Sequence, residues 1–177
     1  TTRQITSAMK MVSAAKLRRA QDRIIKIRPY AGKLYEILTN LSSSLENPED
    51  NIYAQKREIQ KVLIVTLSSN KGLCGSFNSF ADKKAVELAE EKYKEQLDAK
   101  NVDFYCIGKK SSDIIKRKYK IKEIEEDLFD NLSFDNSNII ANNLMNQFAE
   151  GNYDIIELVY NKFKNAASQI LTQEQFL

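Results

Sequence analysis

The chain has 177 residues, of which 42% are hydrophobic and 29% charged, and its net charge at pH 7 is +3. This composition is typical of a globular protein. The sequence has no run of about 18 apolar residues, so it predicts no transmembrane helix. The sequence contains no histidine, which excludes Ser–His and Cys–His nucleophile pairs, histidine metal sites and histidine acid–base catalysis. Cys74 and Cys106 lie far apart in sequence and form no C-x-x-C pair, so neither a disulfide framework nor a cysteine zinc site is expected.

The first part of the chain is strongly basic. Residues 1–35 hold nine lysine and arginine side chains against one acid, Asp22, whereas the remaining residues hold 18 basic and 23 acidic side chains. A charged run is often only a solvated face, but one this basic also predicts an acidic partner. Nucleic acid is disfavoured as that partner because residues 1–29 contain no aromatic side chain that could stack on bases.

Apolar residues in this segment recur at alternating steps of three and four. This spacing predicts a long helix over residues 1–46 with a coiled-coil seam on one side. Pro29 lies off the seam and predicts a bend rather than a break. Residues 47–60, around Pro48, are predicted to form a linker. The seam consists of Leu17, Ala20, Ile24, Ile27, Ala31, Leu34, Leu38, Leu41 and Leu45.

Residues 61–177 alternate strand patterns with helical patterns. The alternation predicts an α/β domain with a mostly parallel sheet flanked by helices. The short connection between Phe163 and Ser168 predicts a hairpin and therefore an antiparallel last strand. Asp135 or Ser137 is expected to cap the last helix. The predicted strands are 61–67, 102–108, 153–163 and 168–177, the predicted helices are 80–97, 110–120 and 136–151, and residues 121–129 fit a strand or a loop.

Two motifs in this domain could bind ligands. The loop SSNKGLCGSFN (68–78) contains Gly72 and Gly75, whose spacing fits neither a Walker A loop nor G-x-G-x-x-G, so a tight turn is favoured over a nucleotide site. The acidic stretch 123–136 lacks the glycine and closing glutamate of an EF-hand, so a solvated loop is favoured over a calcium site. A nucleotide-binding α/β regulatory domain with a dimerising coiled coil stays open as one possible function.

Three blocks of the sequence resemble the γ subunit of F-type ATP synthase. TRQITSAMKMVSAAKLRRAQ (2–21) and RPYAGKL (28–34) are similar to its N-terminal helix, SSNKGLCGSFN (68–78) to its G-L-C-G loop, and YNKFKNAASQ (160–169) to its Y-N-K-F-x-N segment. The blocks follow the family's order and span nearly the whole chain, and the family's domain is Rossmann-like. Because family members begin upstream of Thr1 and continue past Leu177 into a C-terminal helix, we expect a chain truncated at both ends that lacks the partner helix of its seam.

The resemblance implies a non-catalytic rotor subunit that couples proton-driven rotation to ATP synthesis or hydrolysis on partner subunits, with no cofactor and no metal. The implied partners are the α and β subunits of the catalytic ring, the ε subunit and the membrane c-ring, at the cytoplasmic face of the bacterial inner membrane. With its seam unpaired, this chain is expected to self-associate. Cys74 is implied to be a small packing residue. The implied contacts with the acidic lever of the β subunit are Met9, Lys10, Met11, Val12, Lys16, Arg18, Arg19, Lys71, Gly72, Leu73, Cys74 and Gly75.

Overall fold

The computed structural model describes residues 2–44, 51–53, 55 and 57–177. The chain divides into two compact units, Thr1–Asp50 and Asn51–Leu177, and the predicted linker over residues 47–60 straddles that division. In the first unit, helix α1 runs without interruption over Thr2–Ser44 and includes Pro29. The prediction that Pro29 does not break the helix is therefore confirmed. Leu45, the last predicted seam residue, lies outside the described residues.

The second unit contains alternating strands and helices. Its strands are β1 (Val62–Leu67), β2 (Val102–Ile107), β3 (Ile121–Glu125), β4 (Ile155–Asn165) and β5 (Ser168–Gln175). Its α-helices are α2 (Phe77–Glu87), α3 (Lys94–Asp98), α4 (Lys109–Ile115) and α5 (Phe134–Ala149). A π-helical turn, Leu88–Lys92, lies between α2 and α3. The single helix predicted over residues 80–97 is therefore divided: α2 continues as this π-helical turn, which winds more loosely than an α-helix, and Tyr93 separates the turn from α3.

The five strands form one sheet with the order β3-β2-β1-β4-β5. β1 pairs in parallel with β2 and with β4, and β2 pairs in parallel with β3. β5 pairs with β4 in antiparallel fashion. The predictions of a mostly parallel sheet and of an antiparallel last strand are confirmed. The structure also decides the ambiguous segment 121–129, which begins as strand β3 and continues as a loop.

Both faces of the sheet are buried by helices. On one face, α2 and the π-helical turn contribute Ala81, Ala85, Leu88 and Ala89 to an apolar cluster with side chains of β1 and β2. On the other face, Leu144 and Phe148 of α5 pack in a second cluster with residues of the same strands. Burial on both faces explains why β1 reads as a continuous apolar run instead of an alternating pattern.

Helix α5 begins earlier than predicted. Its N-cap is Ser133, whose Oγ accepts a hydrogen bond from the backbone N of Asn136 at 3.2 Å. The expectation that Asp135 or Ser137 is the cap is wrong because the helix already starts at Phe134. Asp135 instead lies in the first helical turn, where a carboxylate interacts favourably with the helix dipole. Among the described residues, no helix is long and apolar enough to cross a membrane.

Candidate partner-binding site

The predicted contact residues on α1 are exposed. Met9 and Met11 are 66% and 64% exposed, and Val12 is similarly open to solvent. The basic side chains Lys10, Lys16, Arg18 and Arg19 are exposed as well. The helix therefore presents cations and flexible apolar side chains together, a combination that suits contact with an acidic, amphipathic partner surface.

The described part of the seam is also open to solvent. Leu38 and Leu41 are 61% and 59% exposed, Leu17, Ile27 and Leu34 are exposed, and Ile24 is half-buried. Ala20 and Ala31 are exposed too. An apolar stripe of this kind is suited to pairing with another helix. The helical periodicity is present in the structure, and coiled-coil pairing stays a prediction.

The glycine loop after β1 is held by Asn78. The Asn78 side chain, which is buried at the start of α2, accepts a hydrogen bond at Oδ1 from the backbone N of Ser69 at 2.9 Å. Its Nδ2 donates to Ser69 Oγ at 3.0 Å and to Cys74 Sγ at 3.2 Å. One amide thus ties both ends of the loop to the helix that follows it.

Asn70 connects this loop to two others at the same edge of the sheet. Its Nδ2 donates to the backbone O of Glu126 at 2.5 Å, and its Oδ1 accepts from the backbone N of Lys109 at 3.0 Å. Gly108, which precedes Lys109, has a φ of +100°, and a Cβ added to it would lie 2.4 Å from the backbone O of Ser68 in the loop after β1. The loops after β1, β2 and β3 are therefore held as one assembly in which only glycine fits at position 108.

The loop exposes an apolar side chain on an unfavourable backbone. Leu73 has φ of +61° and is fully exposed, although the left-handed conformation costs an L-residue about 1–2 kcal/mol. Gly75 also has positive φ, whereas Gly72 does not, so the tight-turn prediction holds at Gly75 only. Cys74 is exposed, so it does not pack in the core of this unit, and its packing role stays a prediction. Such strain at an exposed position is typical of binding sites.

A cavity of about 490 Å³ opens at the carboxyl end of β1. Its walls include Leu67, Phe77, Phe129 and Tyr160. It therefore lies between β1 and β4, where the strand order of the sheet reverses, a common ligand position in open α/β sheets. The charged residues among its described lining are Lys71 and Asp130. One lysine and one carboxylate do not match a phosphate site, where several backbone N–H groups and cations converge.

Two buried carboxyl groups lie outside the predicted site. Asp82 is 1% exposed and accepts a hydrogen bond at Oδ1 from Ser111 Oγ, while its Oδ2 has no partner. Burial raises the pKa of Asp82, and the bond from Ser111 offsets part of the rise. Sequence reasoning missed this group, although helical spacing places it beside Ala81 and Ala85 on the buried face of α2.

Glu157 on β4 is the second buried carboxyl group. It accepts hydrogen bonds from Lys92 Nζ at 2.5 Å and from Tyr93 Oη at 2.6 Å. The π-helical turn directs both donors to the strand, because Lys92 ends that turn and Tyr93 follows it. Burial, with the bond to Glu157, raises the pKa of Tyr93. The described residues contain no group of three or more cysteine, aspartate or glutamate side chains that could hold a metal ion.

Comparison with known proteins identifies the family. A family model described as ATP synthase matches residues 1–177. The ATP synthase gamma chain of Cytophaga hutchinsonii is 52% identical over 177 residues, which are 99% of this chain and 60% of that protein. The gamma chain of Christiangramia forsetii is 50% identical over 176 residues, again 60% of its length. This chain therefore spans about 60% of the length of these relatives.

Solved structures agree with this result. A chain from the central stalk and c-ring structure of Tetrahymena thermophila mitochondrial ATP synthase matches with a TM-score of 0.74 and 29% identity, over 98% of this chain and 72% of that one. A chain from the Euglena gracilis mitochondrial ATP synthase, with a TM-score of 0.53 and 21% identity, shares the fold over 97% of this chain and 51% of its own. This chain belongs to the ATP synthase gamma chain family, as its three sequence blocks indicated.

Proposed function

We propose that this chain is part of the central rotor of an F-type ATP synthase, which couples proton-driven rotation to ATP synthesis or hydrolysis on partner subunits. The observation that carries the proposal is α1, a 43-residue helix on which the seven predicted contact residues are all exposed. In this role the chain is non-catalytic. It acts as a ligand whose asymmetric surface favours different conformations of successive catalytic subunits.

The basic side chains of α1 suit repeated contact with an acidic lever. Exposed ion pairs contribute only about 0–1 kcal/mol each. Lys10, Lys16, Arg18 and Arg19 can therefore attract a carboxylate-rich β-subunit segment and still release it as rotation continues. Met9 and Met11 would add apolar contact that adapts to each subunit in turn.

The loop 68–78 would supply the second contact. Lys71 and Leu73 are both exposed, and the bonds of Asn70 and Asn78 hold the loop in place. A rigid loop with an exposed apolar side chain loses little conformational entropy on binding. We propose that Leu73 inserts into a partner pocket while Lys71 faces carboxylates beside it, and that Gly72, Cys74 and Gly75 allow close approach.

The remaining partners follow from relatives. The Tetrahymena structure is of a central stalk with its c-ring, and we infer by similarity that the gamma chain containing these residues assembles with α, β and ε subunits and a c-ring. Its place would then be peripheral, on the cytoplasmic face of a bacterial inner membrane. The helix that pairs with the α1 seam would come from the rest of the gamma chain.

A reconstituted complex tests the proposal. Alanine at Lys10, Lys16, Arg18 and Arg19 together, in a full-length gamma chain, should lower ATP-driven proton pumping relative to ATP hydrolysis while α1 stays helical, since alanine favours helix. The matched control removes four exposed cations of the second unit, at Lys83, Lys94, Lys120 and Lys164, and should leave coupling unchanged. Unchanged coupling in the α1 variant at both low and moderate salt would contradict the electrostatic role.

The cavity at the carboxyl end of β1 favours a second candidate function, nucleotide binding by the α/β unit, because of its position in the sheet. Titration calorimetry with Mg-ATP distinguishes the two functions. The rotor proposal expects no measurable binding. Micromolar binding that is lost in the Lys71→Ala variant would favour the regulatory nucleotide-binding domain instead.

A further inference from the structure

We propose that the second unit carries a docking surface for a basic amphipathic helix of another protein. The surface, named here the acidic groove, lies between the β3–α5 loop and the first turns of α5. Its walls come from Glu125, Asp127, Leu128, Asn131, Asn136, Ile139 and Ile140 and enclose about 310 Å³. It belongs to the second unit alone, so it does not depend on the proposed role of α1.

The segment that forms the acidic groove carries charges of one sign. Residues 123–161 include nine aspartate and glutamate residues and no lysine or arginine. Glu126 and Glu157 pair with lysines from other segments. Asp127, Asp130 and Asp135 are exposed, and the ion pairs within the described ranges involve other carboxylates. Asp127, a wall residue of the groove, therefore has no ion-pair partner among the described residues, and the same holds for Asp130 and Asp135, which adjoin the wall residues Asn131 and Asn136 in sequence.

Large apolar side chains accompany these carboxylates. Ile139 lines the groove and is 66% exposed, while Leu132 and Phe134, from the adjoining loop and helix start, are 54% and 78% exposed. Soluble monomers rarely leave large apolar side chains grouped in this way unless the surface binds something. The partner must therefore offer apolar side chains as well as positive charge.

The groove is already formed in the free chain. Glu125 Oε1 accepts hydrogen bonds from the backbone N of Asp127 and of Leu128 at 2.8 and 3.0 Å. Asn136 Nδ2 donates to the backbone O of Asn131 at 2.7 Å. These bonds fix the loop against the start of α5, so binding would not require the entropy cost of ordering it.

A basic amphipathic helix fits both properties. Its apolar stripe, repeating every three or four residues, would cover Leu128 and Ile139 as in other helix-in-groove complexes. Lysine or arginine beside that stripe would face Asp127, Asp130 and Asp135. An acidic helix with the same stripe would be repelled, because like charges at an interface weaken binding.

Peptide titration against the full chain tests this surface. The probe is a fluorescent peptide of about 20 residues with a leucine stripe and lysines on the other face, compared with the same peptide carrying glutamate for lysine. The test variant is Asp127→Asn, Asp130→Asn and Asp135→Asn together. The matched control is Glu91→Gln, Glu95→Gln and Asp98→Asn, which removes three exposed charges on the opposite side of the sheet.

We expect the lysine peptide to bind and the glutamate peptide not to bind. The groove variant should raise Kd at least about tenfold and flatten its salt dependence, while the control should not. Phe134→Ser with Ile139→Ser, both at exposed positions, should weaken binding at high salt as well. Equal weakening by the control, or binding of the glutamate peptide, would overturn the proposal. So would loss of self-association of the chain in the groove variant, because the occupant would then be a second copy.

Discussion

The side chain of Asn70 joins two loops from non-adjacent strands, because its Nδ2 donates a hydrogen bond of 2.5 Å to the backbone O of Glu126. β1 and β3 are separated by β2 in the sheet, and Asn70 Oδ1 also accepts from the backbone N of Lys109, where the connection after β2 enters α4. The glycine loop is thus one part of a rigid edge built from three connections.

Asn70→Ala should therefore destabilise the second unit. The substitution leaves a part-buried carbonyl and a backbone N–H without partners, which costs about 1–3 kcal/mol in the free energy of unfolding. Urea unfolding followed by circular dichroism measures the change. The control, Asn138→Ala on the exposed face of α5, should stay within about 0.5 kcal/mol of the wild type, and an equal loss in both variants would contradict the bridging role.

Leu73→Gly should weaken partner binding while leaving the stability of the second unit nearly unchanged. Glycine relieves the positive φ while adding flexibility to the unfolded chain, so the free energy of unfolding should change by less than about 1 kcal/mol. Binding to the catalytic ring should fall, because the exposed apolar side chain is gone. Gly75→Ala, at φ of +60°, should instead destabilise the unit by about 1–2 kcal/mol. Wild-type affinity for the ring in Leu73→Gly would show that Leu73 is not a contact.

Asp82→Asn should flatten the pH dependence of stability. Because burial raises the folded-state pKa of Asp82 above 3.8, the protonated carboxyl stabilises the fold below that pH, and this stabilisation is lost as the pH rises through the folded pKa. The amide keeps an acceptor for Ser111 Oγ and carries no charge. At pH 7 we expect the free energy of unfolding of Asp82→Asn to be about 1–3 kcal/mol higher than that of the wild type. Near pH 4 the two proteins should differ little.

Thermal unfolding across pH 4–8 checks this expectation. Asp98→Asn, at an exposed position, provides the control and should follow the wild-type curve. A steeper loss of stability for Asp82→Asn with rising pH would contradict the sign argued from burial.

Tyr93→Phe should cost more than Tyr160→Phe. Both hydroxyls donate to a glutamate, but the bond of Tyr93 to Glu157 is buried and the bond of Tyr160 to Glu174 is exposed. Loss of the buried donor should lower the free energy of unfolding by about 1–3 kcal/mol. In the variant, the buried carboxylate of Glu157 has lost the Tyr93 hydroxyl and retains the bond from Lys92. Tyr160→Phe should cost less than about 0.5 kcal/mol. Chemical denaturation of the two variants gives the comparison, and equal costs would show that burial does not matter here.

This chain should self-associate through α1 in a concentration-dependent manner. Burying each large seam side chain is worth about 1.5–3 kcal/mol, and Leu38 and Leu41 are mostly exposed. Leu38→Glu with Leu41→Glu should give a monomer at all concentrations in sedimentation velocity. A control pair on another face, Tyr35→Ser with Ile25→Ser, should still associate. A wild-type monomer at high concentration would contradict the prediction.

The sequence alone determined the elements whose residues repeat with a regular period. Steps of three and four placed helix α1, and apolar runs placed β1, β2 and β4, because burial on one or both faces imposes the same pattern wherever the element packs. The G-L-C-G loop and the other two blocks were enough to indicate the gamma chain family. The resemblance also supplied the predicted contact residues on α1, whose side chains the structure shows to be exposed.

Only the tertiary structure decided which side chains meet. Ser111 contacts Asp82, Tyr93 contacts Glu157, and Asn70 contacts Glu126, although each pair is distant along the chain. A local pattern records that a residue is buried but not which atom faces it, so it cannot reveal these bonds or the π-helical turn that serves one of them. The acidic groove likewise depends on how β3 and α5 come together, because its carboxylates read in the sequence as an ordinary solvated loop.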